Sequence, residues 1–429
     1  MSKIRVGVMG AGRGTTMMEQ LKHSNDAELV AICDFYRPAL EAAGKAFDEN
    51  GLNIRIFDNF EDFLAYDMDA VVLANYADEH APYAIRCMDR GLHVMTEVLT
   101  CTNMKQAVDL IECCERHPDL VYNYAENYCF FNVTQEMRRL YQSGVLGEIV
   151  HAEGEYVHDC SSIWPGITYG QRDHWRNRTP NTFYNTHSLG PIIHVTGLRP
   201  VQVIGTQSII LPYLRALGAR GGSAAMEIVT LENGAVVKSL HGDIKREPSS
   251  INYEFYGTKG MVETDRLNFL PREKEEEGWK VFTYIEGEGC PNCQGERKVY
   301  VPEFALSDEM DADAGHGGSD YFTTHWFIKS ILGDETAKKE AIGVYEAVDM
   351  CIPGILAFKS VNNGNIPIKV PNLRLKEERD QYRNDTYCAH KEFAGDQFHE
   401  CDEAYGDLPP IPDEVYEMVK GKWERDEQG

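Results

Sequence analysis

An apolar strand that runs directly into a glycine-rich turn opens this chain and limits its fold more than any later stretch. Residues 4–15 read IRVGVMGAGRGT. Gly10 permits a sharp exit from the strand, and Gly12 lacks the Cβ atom that would block a pyrophosphate at the N-terminus of the next helix. The turn therefore predicts a dinucleotide site formed by Gly10, Ala11, Gly12, Arg13 and Gly14.

The residues that follow this turn refine the prediction. The strand at 29–33 ends in Asp34, roughly 20 residues beyond the glycines, where a carboxylate can bind both hydroxyls of an adenosine ribose. That carboxylate would repel a 2′-phosphate, so NAD is expected rather than NADP, although the nearby Arg37 opposes this effect. Thr15 replaces the third glycine of G-x-G-x-x-G, with Gly14 one place early, so the helix must pack slightly differently. An ordinary strand-to-helix turn is the alternative.

Strands and helices alternate over the first part of the chain. Gly91 is expected to close one helix and Asn103 to cap another. This alternation predicts an α/β fold whose first domain, residues 1–125, is a doubly wound parallel sheet of the Rossmann type. The expected strands after the first are 29–33, 69–74, 93–95 and 120–124, and the expected helices are 38–47, 79–90 and 103–116.

Polar residues follow several of these strands. Ligands bind at the carboxyl ends of the strands in a doubly wound sheet, so these residues are site candidates. Each could be a cap or turn residue by itself, but their convergence at one edge favours binding. They are Asn75 and His80 after the third expected strand, Glu97 and Val98 after the fourth, and Glu126 and Asn127 after the next.

The pattern changes after an expected helix at 132–143. Period-two alternation at 149–158, 224–231, 235–241 and 252–256 predicts an α+β domain with a mostly antiparallel open sheet. A hairpin turn is expected at Asn233–Gly234. The stretch 160–200 is too long for a connector, and its aromatic residues argue against disorder, so it is interpreted as a functional loop.

A chain of 429 residues exceeds what one hydrophobic core usually supports. The second domain is expected over 126–369 and a charged extension over 370–429, wrapping the surface or a neighbouring subunit. A helix pattern at 341–360 is expected to pack back on the first domain. The outer face of the second sheet would need cover, which predicts a homo-oligomer, either a dimer or a tetramer.

Composition excludes some partners. The 68 acidic residues outnumber the 42 Lys and Arg residues, and the formal charge of −26 would repel nucleic acid and anionic membranes. No run approaches the ~20 apolar residues of a membrane span, and the first strand leaves no room for a signal peptide, so a cytoplasmic protein is expected. No metal is expected, because the single pair Cys290 and Cys293 would have to recruit a distant ligand such as His316.

These motifs together resemble the Gfo/Idh/MocA family of nicotinamide oxidoreductases. The resemblance covers roughly residues 3–360 and rests on the glycine turn, Asp34, the 75–80 turn, the Glu97 loop and the 147–149 segment. Members usually carry a lysine in Glu-Lys-Pro, where this chain has Glu97-Val98-Leu99. That departure, with the segments 185–191 and 315–320, is similar to the branch of NAD-dependent glycoside hydrolases of the α-N-acetylgalactosaminidase type.

The resemblance implies a catalytic cycle. Members of that branch hold NAD tightly, oxidise the sugar C3 hydroxyl, eliminate the aglycone, add water and return the hydride. By matching motif positions, His187 and Tyr156 are the candidates for proton transfer, with Glu126 at the cofactor or sugar. We add Trp175 and Arg176 to the expected cofactor contacts.

Chemistry supports a histidine independently of the family. Hydride transfer needs a base for the hydroxyl proton, and imidazole titrates near neutrality. Two alternatives stay open at this point. The first is a simple sugar or cyclitol dehydrogenase that exchanges free NAD, and the second is a sugar or dinucleotide sensor without catalysis.

Overall fold

The computed structural model describes residues 2–48, 51, 53–246, 249–265, 278–287, 295–304 and 315–426. Its contacts divide into two compact units. The first unit comprises Met1–Phe131, Leu306–Val348 and Leu373–Asn384, and the second comprises Asn132–Ala305, Asp349–Asn372 and Asp385–Gly429. The expectation about Cys290 and Cys293 lies outside the described residues.

The secondary structure alternates early and becomes strand-rich later. The strands are β1 Ile4–Met9, β2 Ala27–Cys33, β3 Arg55–Phe57, β4 Ala70–Leu73, β5 His93–Thr96, β6 Tyr122–Tyr124, β7 Ile149–Val157, β8 Pro200–Gln207, β9 Ala224–Leu231, β10 Val236–Gly242, β11 Ser250–Gly257, β12 Gly260–Thr264, β13 Val281–Ile285, β14 Glu296–Tyr300 and β15 Ile368–Lys369. The helices are α1 Thr15–His23, α2 Arg37–Asp48, α3 Phe60–Ala65, α4 His80–Asp89, α5 Met104–Arg116, α6 Asn132–Gln142, α7 Trp164–Thr168, α8 Trp175–Arg178, α9 Thr186–Thr196, α10 Pro212–Arg215, α11 Ser319–Ile331, α12 Glu335–Glu340, α13 Val344–Asn362, α14 Lys376–Arg379, α15 Lys391–Ala394 and α16 Asp413–Asp426.

The first unit contains a parallel sheet in the order β3-β2-β1-β4-β5-β6. Its central strands are almost wholly apolar and buried, as is typical of parallel sheets covered on both faces. Gly91 adopts a φ of +90°, and the Asn103 side chain accepts the Gln106 N–H at 2.9 Å, so both predicted helix ends are confirmed. The predicted Rossmann sheet is confirmed.

One strand of this sheet, β3, was not predicted from the sequence. β3 has three residues, two of them exposed, and it pairs only with β2 at the edge. A strand this short offers too few positions for a periodic pattern to be recognised.

The second unit contains a sheet in the order β14-β13-β12-β11-β7-β10-β9-β8-β15. β10 and β7 pair in parallel, and the other pairs are antiparallel, so the expected mostly antiparallel sheet is confirmed. The expected hairpin joins β9 and β10. Gly234 has a φ of +89°, and the Asn233 side chain accepts the Ala235 N–H at 3.0 Å.

The interpretation of 160–200 as a loop is wrong for much of its length. This stretch forms the helices α7, α8 and α9. Every residue of α9 is buried, so the helix has no solvent-exposed face and its sequence lacks the periodicity of an amphipathic helix. Its contacts with the sheet are close, because a Cβ atom on Gly154 would lie 1.8 Å from the Ser188 carbonyl oxygen.

The units do not follow the expected domain boundaries. Residues 315–348, expected in the second domain, belong to the first unit, and the division falls within α13. The start of α13, through Val348, belongs to the first unit, where the helix was expected to pack, and its later part packs within the second unit. A Cβ on Gly205 would lie 2.4 Å from the Ala357 carbonyl oxygen, and one on Gly354 would lie 2.2 Å from that of Thr182. Glycine at these positions lets the backbones approach closely.

The C-terminal extension contacts its own chain. In the second unit, the Tyr416 hydroxyl donates to the Gly218 carbonyl at 3.2 Å, and the rings of Tyr169 and Trp423 lie 5.2 Å apart. Residues 373–384 belong to the first unit, where Arg379 donates to Glu115 at 2.6 Å. The extension therefore covers surfaces within both units.

A helical stretch over Glu335–Asn362 is long and apolar enough to cross a membrane, contrary to the expectation that no run approaches this length. However, 78% of its most apolar window is buried. Such burial is typical of the core helix of a globular domain.

Candidate active site

The glycine turn of the first unit has the geometry of a phosphate cradle. Gly10 has a φ of +104°, and a Cβ there would lie 2.3 Å from the Ala74 carbonyl oxygen. A Cβ on Gly14 would lie 2.2 Å from the Gly10 carbonyl oxygen, so the early glycine lets α1 begin close to β1. By contrast, a Cβ on Gly12 would meet no atom within 4 Å. The turn is thus open at Gly12, which fits a dinucleotide pyrophosphate.

Asp34 lies beside this turn at the end of β2. Its carboxylate accepts the Ala11 N–H at 2.6 Å and the Tyr36 N–H at 2.7 Å. Arg37 is largely exposed and lies 3.5 Å from Glu41 and 3.8 Å from Asp58. Because two carboxylates already neighbour the Arg37 guanidinium, it adds little positive potential for a 2′-phosphate.

An ion-pair network adjoins the turn. Arg13 donates through Nε to Glu97 at 2.8 Å and through Nη1 and Nη2 to Asp320 at 3.0 and 2.7 Å. Asp320 also accepts from Asn127 Nδ2 at 2.8 Å and contacts His316 Nδ1 at 2.7 Å. Burial opposes the charge of Asp320, but the hydrogen bonds from His316 and Arg13 hold its pKa well below the usual range. Asp320 is therefore a buried carboxylate with four donors.

The remaining candidates of the first unit hold nearby turns. His80 Nδ1 lies 2.8 Å from the Leu99 carbonyl oxygen, and burial lowers the His80 pKa, so this neutral ring donates to the turn after β5. The peptide bond between Val98 and Leu99 is cis. Asn75 donates to Glu79 at 3.0 Å, and its buried Oδ1 accepts no hydrogen bond from a described residue.

Glu126 lies directly after β6 and is fully buried. Its carboxylate accepts the Tyr128 N–H at 3.3 Å. The candidate is thus at the carboxyl edge of the sheet in the first unit, as expected from its position in the sequence.

The second unit brings the other two catalytic candidates together. The rings of Tyr156, on β7, and His187, on α9, lie 5.0 Å apart. His241, on β10, stacks on Tyr156 at 5.2 Å with an interplanar angle of 12°, and Tyr184 lies 5.2 Å from both histidines. With His158, these residues form a group that we call the histidine–tyrosine cluster.

Hydrogen bonds position members of this cluster, and burial lowers the pKa of one of its histidines. The Tyr156 hydroxyl lies 3.2 Å from His158 Nδ1, and the Tyr253 hydroxyl donates to the His187 carbonyl at 2.6 Å. Burial, followed by repulsion from His187 and His158, lowers the His241 pKa to about 3. His241 is therefore neutral at pH 7.

Trp175 and Arg176 adjoin the same cluster. The Arg176 guanidinium lies 4.4 Å from the Trp175 ring centroid and 5.7 Å from that of Tyr184, both within the range of cation–π contacts. Both residues lie in the second unit. Their expected contact with the cofactor remains a prediction.

A separate group in the first unit has ligand types that metals use. Atoms of Asp89, Cys113 and His117 all lie within 4.8 Å of one another. Asp89 is already paired with Arg116 at 3.3 Å and with His117 at 2.9 Å. The group is accounted for by these ion pairs.

Sequence reasoning missed several residues of both sites. His241 ends an expected strand, and its alternation with Ser239 on one face was a usable signal. Tyr184 lies three residues before His187, and this helical spacing could have placed the two side chains on the same face. Asp320 and His316 belong to a segment, 315–320, that was recognised as a motif without a role.

Two family models match this chain. Residues 4–124 match the Gfo/Idh/MocA model, described as an oxidoreductase family with an NAD-binding Rossmann fold, and residues 217–377 match the C-terminal domain of glycosyl hydrolase 109. The chain is therefore similar to the first family over its N-terminal part and to the second over a later part. The predicted resemblance is confirmed. The protein is thus an enzyme, an NAD-dependent oxidoreductase or glycosidase, and NAD is its cofactor.

Curated relatives that match this chain carry the glycosyl hydrolase 109 name as well. Glycosyl hydrolase family 109 protein 1 from Phocaeicola vulgatus is 24% identical over 401 residues, which cover 86% of this chain and 84% of the relative. Its namesake from Bacteroides thetaiotaomicron is 24% identical over 410 residues, with the same coverage.

Solved structures share the fold. Myo-inositol 2-dehydrogenase from Lactobacillus plantarum has a TM-score of 0.66 at 16% identity, covering 86% of this chain and 100% of that one. Scyllo-inositol dehydrogenase from Lactobacillus casei, solved with NAD(H) and scyllo-inositol, has a TM-score of 0.64 at 17% identity, covering 86% and 99%. The α/β fold class is confirmed.

Proposed function

We propose that this enzyme oxidises the C3 hydroxyl of a sugar or glycoside with tightly bound NAD and cleaves the glycosidic bond by oxidation, elimination, addition of water and reduction. The observation that carries the proposal is the proximity of His187 and Tyr156, whose ring centroids lie 5.0 Å apart. Both residues lie in the second unit, which holds the larger part of the segment that matches glycosyl hydrolase 109.

Each residue has a chemical role in this proposal. NAD, when bound, accepts a hydride from C3 and later returns it. His187 accepts the C3 hydroxyl proton, because the lysine that usually does so is replaced in Glu97-Val98-Leu99. Tyr156 removes and restores the C2 proton that the C3 ketone acidifies, and the neighbouring His158 accepts the tyrosine proton. Glu126 orients the cofactor or the sugar.

The cofactor contacts are assigned by their positions. We propose that the glycine turn, Asp34, Asn75, His80, Glu97, Val98 and Asn127 bind NAD, with Trp175 and Arg176 completing the contacts. Arg37 contributes at the entrance of the adenosine site. We also propose a cytoplasmic homo-oligomer, either a dimer or a tetramer, that acts on small sugars.

Isotope exchange separates the proposal from simple oxidation. In D2O, elimination and addition exchange the C2 proton with solvent, so the released sugar should carry deuterium at C2 by NMR. A simple dehydrogenase leaves C2 unlabelled and releases reduced cofactor in proportion to added NAD. Unlabelled sugar together with net reduction of free NAD would contradict the glycosidase cycle and support the dehydrogenase alternative, which the inositol dehydrogenase neighbours favour.

His187→Gln tests the proposed base. General acid–base catalysis contributes about 10²- to 10⁴-fold, so single-turnover reduction of bound NAD should slow by that factor while NAD stays bound. The absorbance of reduced nicotinamide measures the rate across a panel of aryl and alkyl glycosides, and mass spectrometry of denatured protein measures bound NAD.

His151→Gln is the matched control for this experiment. His151 lies on β7 with Tyr156 but an odd number of residues away, so it points to the opposite face of the sheet, where it contacts Glu153 at 3.4 Å. The control should keep the parental rate. A parental rate in His187→Gln would assign His187 a structural role only and make Tyr156 the next candidate.

A further inference from the structure

Asp320 occupies an unusual place in the first unit. Its side chain is 1% exposed and takes donors from three separate segments: Arg13 of the glycine turn, Asn127 after β6, and His316 before α11. Glu97 completes the group by accepting from Arg13. We call these five residues the Asp320 hub.

The turn at 315–318 leads into α11, whose second residue is Asp320, and it packs close to the glycine turn. His316, Gly317 and Gly318 have φ values of +50°, +63° and +99°. A Cβ on Gly315 would lie 2.6 Å from the Asp320 carboxylate and 3.1 Å from Thr16 in α1. Glycine at 315 therefore allows this segment to pack directly against the start of α1.

The pairing with Arg13 is geometrically specific. Two guanidinium nitrogens meet two carboxylate oxygens of Asp320, which holds the plane of the side chain as well as its position. Burial opposes the charge on Arg13, but Glu97 and Asp320 raise its pKa above the usual value. Since two carboxylates neutralise one guanidinium, Arg13 brings no net positive charge to the phosphate site.

We propose that Asp320 is a positioning residue for the cofactor, which fixes Arg13 and thereby holds the open conformation of the glycine turn that the NAD pyrophosphate enters. This inference rests on the proposed cofactor site. A turn that is already ordered loses less entropy when the ligand binds, so its affinity depends on the residue that orders it.

Asp320→Asn tests this role with the full-length protein. Asparagine keeps the size of the side chain but presents an NH2 group to Arg13 or His316, both of which are donors. Calorimetric titration of NAD into protein freed of its cofactor should show a dissociation constant on the order of 10-fold or more above the parental value.

Asp26→Asn is the matched control. Asp26 accepts from Lys329 at 2.7 Å, so it also pairs a carboxylate with α11, but it lies at the amino end of β2, opposite the ligand edge of the sheet. The control should bind NAD with the parental dissociation constant.

A second ligand separates positioning from general damage. 5′-AMP uses the adenosine site beside Asp34 and a single phosphate, so Asp320→Asn should change its dissociation constant less than that of NAD. Arg13→Gln should weaken NAD binding too, and the double variant should be no weaker than the worse single variant, because both act through one contact.

The outcomes of these titrations distinguish failure of the Asp320 inference from failure of the proposed function. Parental NAD affinity in Asp320→Asn, or equal losses for NAD and 5′-AMP, would overturn the inference. A parental protein that binds no NAD would overturn the inference and the proposed function together. A parental protein that binds NAD but turns over no sugar or glycoside would refute the proposed function and leave the role of Asp320 standing.

Discussion

At the residue scale, Glu227 is a buried acid outside the proposed chemistry. It lies on β9 opposite Ser239 of β10 and is fully buried. The Ser239 hydroxyl is engaged with that of Ser188 at 2.8 Å, and neither carboxylate oxygen of Glu227 has a well-formed hydrogen bond to a described residue. Burial raises the pKa of Glu227 from 4.5 to about 8, so the acid is largely neutral at pH 7.

Glu227 should make stability fall as pH rises. Between pH 4.5 and about pH 8, the unfolded chain ionises this carboxyl group while the folded chain keeps it protonated. The free energy of unfolding therefore decreases as the pH rises. At 1.36 kcal/mol per pKa unit, the decrease in the free energy of unfolding reaches roughly 4 to 5 kcal/mol by pH 8. Urea unfolding of Glu227→Gln should lack this decrease, whereas Glu417→Gln, at an exposed position of α16, should retain it. Identical pH dependence in Glu227→Gln and the parent would contradict the assignment.

At the element scale, the packing of α9 on β7 sets the position of His187. Gly154 faces Ser188 so closely that no side chain fits between them. Tyr253 then ties the backbone of His187 to β11. The proposed base is thus held by helix-to-sheet contacts rather than by a loop.

Gly154→Ala should displace α9 and lower activity. The added methyl group meets backbone, which cannot rotate away, and overpacking costs about 1 to 3 kcal/mol. We expect a lower melting temperature together with slower reduction of bound NAD, measured by calorimetry and by absorbance. Gly166→Ala in α7 is the control, since a Cβ there meets no atom within 4 Å, and it should leave both values near those of the parent. If Gly154→Ala keeps full activity despite its lower stability, the position of α9 does not limit catalysis.

At the scale of the whole molecule, the C-terminal segment stabilises the second unit. Tyr416 of α16 is buried against Gly218, while Arg178 donates to Glu392 and Arg220 to Glu400. Arg178 belongs to α8, which also carries Trp175 and Arg176. The acidic extension thus supplies partners for arginines of its own unit.

Tyr416→Ala should lower stability without changing the proposed adenosine site beside Asp34. Loss of a buried aromatic side chain costs about 3 to 5 kcal/mol, which denaturant unfolding can measure. The control is Met418→Ala, because Met418 is 55% exposed on the same helix and should change stability little. The dissociation constant for 5′-AMP should stay parental in both variants, since the Asp34 site lies in the first unit. A parental unfolding free energy in Tyr416→Ala would show that the extension is dispensable for stability.

Much of the first unit was determined by local sequence. Gly10 permits the positive φ of the turn, Gly12 leaves it open and Gly14 allows α1 to begin close to β1. Asp34 follows at the spacing that one strand–helix–strand unit imposes. Short-range signals also located the caps at Gly91 and Asn103, because both act within one helical turn.

Tertiary structure decided what depends on distant contacts. α9 has no exposed polar face from which a helix could be recognised, so its burial against β7 defines it. Asp320 lies 307 residues from Arg13 along the chain, and no local pattern encodes that pair. Likewise, β3 exists through its pairing with β2, and His241 joins Tyr156 only because β10 and β7 are neighbours. Glycine's conformational freedom and helix capping act within a few residues, whereas burial and strand pairing are properties of the assembled fold.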